Sequence, residues 1–201
     1  ELNALGVADG VGSWYSRGSD PGIYARELVQ LTEAAIQAGQ RDPVKALREA
    51  YDGNKRLGTS TACVALLNEM QLDSVNVGDS GFIIIRDGQV VQTRQVTIHG
   101  FNFPFQLGKD GPECPEDGVV GRFEIKLEDI IVMGTDGLWD NLFEKEIAEL
   151  AVWPGDMTKL AKNIGEEARL AATESGRKTP WSGVGGKLDD ISVIAARVVF
   201  A

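Results

Sequence analysis

Residues 61–93 read TACVALLNEMQLDSVNVGDSGFIIIRDGQVVQT. Four short apolar, β-branched runs, 61–67, 72–77, 82–85 and 90–93, are separated by turn signals, which is the pattern of strands and not of helices. Asn68-Glu69 and Asp87-Gly88 mark hairpins. The second is the stronger mark, because Asp-Gly suits a two-residue turn in which both central residues take positive φ. Each hairpin pairs antiparallel, so this stretch predicts meandering strands in antiparallel sheet.

Working outward, Pro21 follows Ser19 and Asp20 and precedes Tyr24, Leu28, Leu31 and Ala35 at helical spacing, a capped helix with proline in its first turn. Asp42 and Pro43 open a second helix running toward Lys55 in the same way. Beyond the hairpins, 108–121 is polar with Gly and Pro and predicts a loop. Strands are expected at 123–127 and 130–133, helices at 144–152 and 157–172, a flexible loop at 175–186 and a last strand at 191–200. There is no internal repeat and no βαβ alternation. Grouped helices, then hairpins, then helices and a closing strand predict an α+β domain built on antiparallel sheet.

With 201 residues and 43% apolar side chains, one compact domain with a sizeable core is expected. Thirty acidic against twenty basic residues give a formal charge of −10, which argues against a nucleic-acid partner because phosphate-backbone binders rely on Lys and Arg. Cys63 and Cys114 lie far apart without CxxC spacing, so neither a zinc site nor a disulfide framework is signalled, and an intracellular, reducing setting is expected. No apolar run is long enough for a membrane span.

Apolar runs end on acids at four separate places. Asp9 follows Leu5-Gly6-Val7-Ala8, Asp79 follows Val75-Asn76-Val77-Gly78, Asp136 follows Ile130-Ile131-Val132-Met133-Gly134-Thr135, and Asp189 with Asp190 precedes Ile191. Taken singly, each Asp-Gly is an ordinary turn dipeptide. Taken jointly, they place carboxylates at one end of several strands. Two such charges about 4 Å apart repel by about 4 kcal/mol at an effective dielectric near 20, so something positive is expected between them. An all-oxygen donor set suits a hard cation such as Mg²⁺ or Mn²⁺, whereas Zn²⁺ would call for His or Cys. Glycines beside the acids permit turns and close backbone approach, so a carbonyl such as that of Gly10 could join the set.

Five segments together resemble a known family: GVADGVG at 6–12, GTSTA at 58–62, VGDSG at 77–81, TDGLWDN at 135–141 and DDIS at 189–192. Their order and spacing are similar to the motifs of type-2C (PPM) metal-dependent serine/threonine protein phosphatases and span nearly the whole chain. Asp-Gly-Val-Gly at 9–12 and HGFNFPFQ at 99–106 resemble the branch whose best-known members are mitochondrial, with relatives in plastids. The resemblance implies a central antiparallel β-sandwich flanked by helix pairs, a four-layer αββα arrangement with a two-metal centre. It implies that Asp9 bridges two Mg²⁺ or Mn²⁺ ions, that the Gly10 carbonyl binds the second, and that Asp136 and Asp189 bind the first. Asp79 matches a residue associated with a weaker third ion, and Asp190 stands where Asn is common. The implied activity is hydrolysis of phosphoserine or phosphothreonine in a phosphoprotein by a metal-activated water, with no protein nucleophile. A monomeric enzyme of mitochondrion or plastid is the matching expectation.

The chain also departs from the pattern. Val11 occupies the place of a His proposed as general acid, which leaves that acid unidentified; His99, the one histidine, is read as structuring its own loop. The family's early Arg and Glu-Asp motif lies before the Asp-Gly strand, where this chain starts, and Glu1 is no replacement, so a missing N-terminal piece is expected. Two other readings compete: a catalytically silent binding or regulatory module, and a sandwich binding Ca²⁺ structurally, which the spread of acids from Asp9 to Asp189 disfavours. Trp14, Trp139 and Trp153 are read as packing residues, and Trp181, in a polar loop, as a contact residue.

Overall fold

The computed structural model describes residues 3–109, 111–152 and 155–199. Glu1, Trp153 and the predicted strand end at Phe200 lie outside them. Ten strands are present among the described residues: β1 (Ala4–Val7), β2 (Ala62–Asn68), β3 (Gln71–Val77), β4 (Gly81–Arg86), β5 (Gln89–Gln92), β6 (Ile98–Gly100), β7 (Phe103–Pro104), β8 (Val119–Glu124), β9 (Ile130–Gly134) and β10 (Val193–Arg197). The helices are α1 (Pro21–Gln37), α2 (Pro43–Gly53), α3 (Asp136–Trp139), α4 (Glu144–Ala151) and α5 (Met157–Thr173), with 3-10 turns at Gly12–Arg17 and Pro115–Asp117. The chain divides into two compact units, residues 1–80 with 95–124, and residues 81–94 with 125–201.

The first unit is an antiparallel sheet in the order β1-β2-β3-β8. Against it pack α1 and α2: Tyr24, Leu28, Ile36, Ala46 and Leu47 share one core with Val64, Leu66, Val75 and Val77. Both helices start as their sequences dictate. The Asp20 carboxylate accepts from Gly22 N at 2.9 Å and that of Asp42 from Val44 N at 2.9 Å, with Pro21 and Pro43 filling the first helical position, where no N–H is needed.

The second unit is an antiparallel sheet in the order β10-β9-β4-β5. Ile83, Ile85, Ile130 and Val132 of this sheet share a core with Trp139, Ile147, Leu160 and Ile164 of α3, α4 and α5. The hairpin between β4 and β5 turns on Asp87 and Gly88 at φ of 49° and 74°, the double positive φ that Asp-Gly predicts.

The closing strand is shorter than the expected 191–200, running Val193–Arg197, and two further expectations are revised. The predicted loop 108–121 ends early, because β8 begins at Val119, where Val119 pairs with Asn76. Its exposed and half-buried residues alternate, so the edge strand lacks the apolar run that would have announced it. The expected strand 123–127 is correspondingly displaced to Val119–Glu124. Loop 175–186, read as flexible, is tied down: Arg177 holds Glu146 at 2.9 Å and Glu167 at 2.5 Å, and Gly185 N donates to Arg177 O at 2.7 Å.

Candidate metal centre

In the second unit, β9 delivers Asp136 directly from its buried end. The ladder to β10 continues past the strand: Thr135 N donates to Ser192 O at 3.2 Å, and Ser192 N donates to Thr135 Oγ1 at 3.2 Å. This fixes segment 189–192 alongside 134–137. The approach is close enough to require glycine, since a Cβ at Gly137 would stand 2.2 Å from the carbonyl oxygen of Asp190. Trp139, fully buried, anchors the turn by donating Nε1–H to Gly134 O at 2.7 Å.

Asn141 supplies the second clamp. It is completely buried, donates to Gly137 O at 2.8 Å and to Lys187 O at 2.9 Å, and accepts from Lys187 N at 2.9 Å. Lys187 is thereby held against α3, and its ammonium enters a cluster of acids. Nζ contacts Asp136 Oδ2, lies 2.9 Å from Asp189 Oδ2 and 3.3 Å from Asp140 Oδ2, and sits 5.0 Å from the centre of the Trp181 ring. Only 15% of the Lys187 side chain is exposed. Burial works against its charge, but the hydrogen bonds to Asp136 and Asp189 and the charge of Asp140 outweigh this and hold the ammonium above the usual lysine range. Burial raises the Asp140 carboxyl above its ordinary value, an effect that Lys187 opposes and Asp136 reinforces.

The predicted Asp136 and Asp189 therefore do converge, and Asp140 joins them. Among the described residues no group of three or more His, Cys, Asp or Glu side chains is set for a metal ion; these three acids close on Lys187 instead. The chemistry nevertheless fits a hard cation. The donors are all carboxylate oxygens, and Asp136 Oδ1 is buried with no hydrogen-bond partner among the described residues. Asp190 is exposed and donates its N–H to Asp189 Oδ1 at 2.9 Å.

Asp9, Gly10 and Asp79 belong to the first unit. Asp9 is fixed by its backbone, whose carbonyl accepts from Thr61 N at 2.9 Å and Ser60 Oγ at 2.8 Å. A Cβ on Gly10 would lie 2.5 Å from the carbonyl carbon and oxygen of Pro21, so only glycine fits there. Asp79 follows β3 after Gly78, which stands at φ 103° with its N–H given to Thr97 Oγ1 at 2.8 Å. His99 contacts Glu113 Oε1 at 2.6 Å and lies between Phe103 and Phe105, the loop-structuring role read from sequence.

No protein-family model matches the chain. Individual relatives do. Over 216 residues it is 40% identical to probable protein phosphatase 2C 55 of Arabidopsis thaliana, covering 98% of this chain and 46% of that protein. Over 228 residues it is 34% identical to the protein phosphatase PTC7 homolog of Danio rerio, covering 98% of this chain and 77% of that protein. The chain belongs to the protein phosphatase 2C family. It also has the protein phosphatase 2C fold: the photosystem II phosphatase PBCP superposes with a TM-score of 0.92 at 29% identity, over 98% of this chain and 87% of that one. The catalytic domain of PstP, solved with two manganese ions, shares the fold at a TM-score of 0.69 and 20% identity. The chain spans 46% and 52% of the length of two protein phosphatase 2C relatives from Arabidopsis thaliana, and 29% of a third.

Against this family background, two residues that matter locally went unread in the sequence. Lys187 looks like a solvated lysine between glycines and acids, and Asn141 like the end of a motif. A signal for Asn141 did exist: a polar amide inside the run Leu138-Trp139-Asp140-Asn141-Leu142 has to spend its hydrogen bonds on backbone if it is buried.

Proposed function

We propose that this chain forms the catalytic region of a metal-dependent phosphatase acting on phosphoserine or phosphothreonine in proteins. The observation that carries the reading is the convergence of Asp136, Asp140 and Asp189 on one positive atom, with a second Asp136 oxygen buried and without a partner among the described residues, in a protein phosphatase 2C. Asp136 and Asp189 of the second unit would hold one Mg²⁺ or Mn²⁺, and in the first unit Asp9 and the Gly10 carbonyl would serve as ligands of a second ion, with Asp79 serving a weaker third. Bound cations of this kind supply the positive charge that activates water and stabilises phosphoryl oxygens.

The chain's own residues contribute rigidity. The Thr135–Ser192 bonds and Asn141 fix the backbone that carries Asp136 and Asp189 before any ligand arrives. Neither cysteine is followed by an Arg-ended phosphate loop, which leaves a cysteine-based mechanism without support. His99 is engaged by Glu113, so it is not assigned as general acid. A monomer working in mitochondrion or plastid on a phosphoprotein, without nucleic acid, completes the proposal; the charge of −10 is in keeping with the lack of a nucleic-acid partner.

The test is phosphate release by the protein from a phosphothreonine peptide with Mn²⁺ or Mg²⁺. Activity should vanish in chelator and in Asp9→Asn and Asp136→Asn. Turnover that persists in chelator overturns the reading, and a protein that binds Mn²⁺ without turnover is the silent module instead.

A further inference from the structure

The ammonium of Lys187 already occupies the place where the second unit's acids point. Asp136 Oδ2 and Asp189 Oδ2 both bond to it, and the other Asp189 oxygen is taken by Asp190 N at 2.9 Å. Each Asp189 oxygen thus carries a bond, whereas Asp136 Oδ1 is buried without a hydrogen-bond partner among the described residues. The placement is built, not incidental to a mobile side chain. The Lys187 backbone is bonded on both sides to Asn141, and Trp181, whose N–H donates to Asp140 O at 3.0 Å, lays its ring beside Nζ.

We infer that Lys187 is an internal counter-ion of the Asp136–Asp140–Asp189 cluster, and that a divalent cation competes with the Lys187 ammonium for Asp136 Oδ2 and Asp189 Oδ2. This rests on the proposed metal-binding role of Asp136 and Asp189. Without a cation of some kind, three carboxylates this close would repel one another strongly. Lys187 relieves that repulsion in the metal-free chain and weakens metal binding by the same interaction, because a ligand's net affinity is reduced by whatever it has to displace. Lys187 is therefore a tuning residue and not a catalytic one: it sets the metal concentration at which the site fills.

The experiment is calorimetric titration of the metal-free chain with MnCl₂, for wild type, Lys187→Gln, Lys187→Arg and Asp136→Asn, together with melting curves with and without the ion. Lys187→Gln should bind Mn²⁺ about tenfold more tightly or better, the equivalent of removing one nearby charge. It should also melt lower than wild type when metal-free, and gain more from Mn²⁺. Lys187→Arg, which keeps the charge, should stay near wild type. Equal or weaker Mn²⁺ binding by Lys187→Gln overturns the inference. If Asp136→Asn leaves Mn²⁺ affinity intact, the underlying metal-site reading has failed instead, so the two failures are separable. A second readout needs no variant: acetic anhydride labelling of wild-type lysines, mapped by mass spectrometry. Lys187 should label slowly in chelator and faster with Mn²⁺ while other lysines change little; a rate at Lys187 that does not rise with Mn²⁺ also overturns it.

Discussion

Replacing Gly137 by alanine tests whether close backbone approach is what brings Asp136 and Asp189 together. The added Cβ would meet the Asp190 carbonyl oxygen at 2.2 Å, its carbon at 3.0 Å and Ile191 Cγ1 at 3.2 Å. Ordinary contact begins near 3.4 Å, so the 189–191 backbone has to retreat by about 1 Å, and it cannot do so by turning a side chain. Two terms oppose each other. Alanine in a helix is favoured over glycine by about 1 kcal/mol, whereas forcing an extra methyl into packed backbone costs about 1–3 kcal/mol and more when no side chain can yield. The clash wins, by about 2 kcal/mol, which for a chain of this size lowers the melting temperature by about 4–8 °C. Gly176→Ala is the control in the same unit, since its Cβ meets nothing within 4 Å and its φ is not positive. It should be neutral or slightly stabilising. Thermal unfolding followed by circular dichroism reads both, and Mn²⁺ titration reads the displacement of Asp189 directly. If Gly137→Ala melts within a degree of wild type and binds Mn²⁺ equally well, the packing argument is wrong.

Asn141→Ala strips the Gly137 and Lys187 carbonyls and the Lys187 N–H of a buried partner and should cost about 3 kcal/mol or more, read as a lowered urea midpoint with an unchanged slope. Arg86→Ala removes a two-pronged bond, 2.8 and 2.7 Å, to Asp129, which is 1% exposed; leaving that carboxylate buried with the Lys126 N–H should cost about 3 kcal/mol in the same assay, against little change for the exposed pair partner Lys145→Ala. Burial pushes the Cys63 thiol up to about 12, so at pH 8 only about one molecule in ten thousand carries the reactive thiolate. Ellman's reagent should therefore titrate no more than one thiol in the native chain, that of Cys114, and two in denaturant; two fast native thiols would contradict the buried placement of Cys63.

Most of the fold was legible because the decisive signals are local. Asp20-Pro21 and Asp42-Pro43 start helices by capping chemistry that needs nothing beyond neighbouring residues, and Asp87-Gly88 turns a hairpin by its own φ preferences. What escaped was set by tertiary surroundings. Strand β8 is an edge strand whose Val120 is 60% exposed, so no apolar run marked it. Loop 175–186 is polar and glycine-rich, and its order comes from Arg177 reaching Glu146 and Glu167, residues 31 and 10 positions away.

The acids show the same division more sharply. That Asp136 and Asp189 would need a positive neighbour followed from charge alone, and a carboxylate cluster reads naturally as a metal site. Electrostatics, however, asks only for positive charge, and a lysine two residues before Asp189 can provide it if its backbone is held. Asn141 provides that hold through two bonds to Lys187, a relation between positions 46 apart that no window of sequence displays. On the inference above, Lys187 balances the charge of the cluster without a metal, and a metal must compete with it. An apoprotein that melted far below its Mn²⁺-bound form in the wild type, with Lys187→Gln no worse, would show that the ammonium does not perform this service.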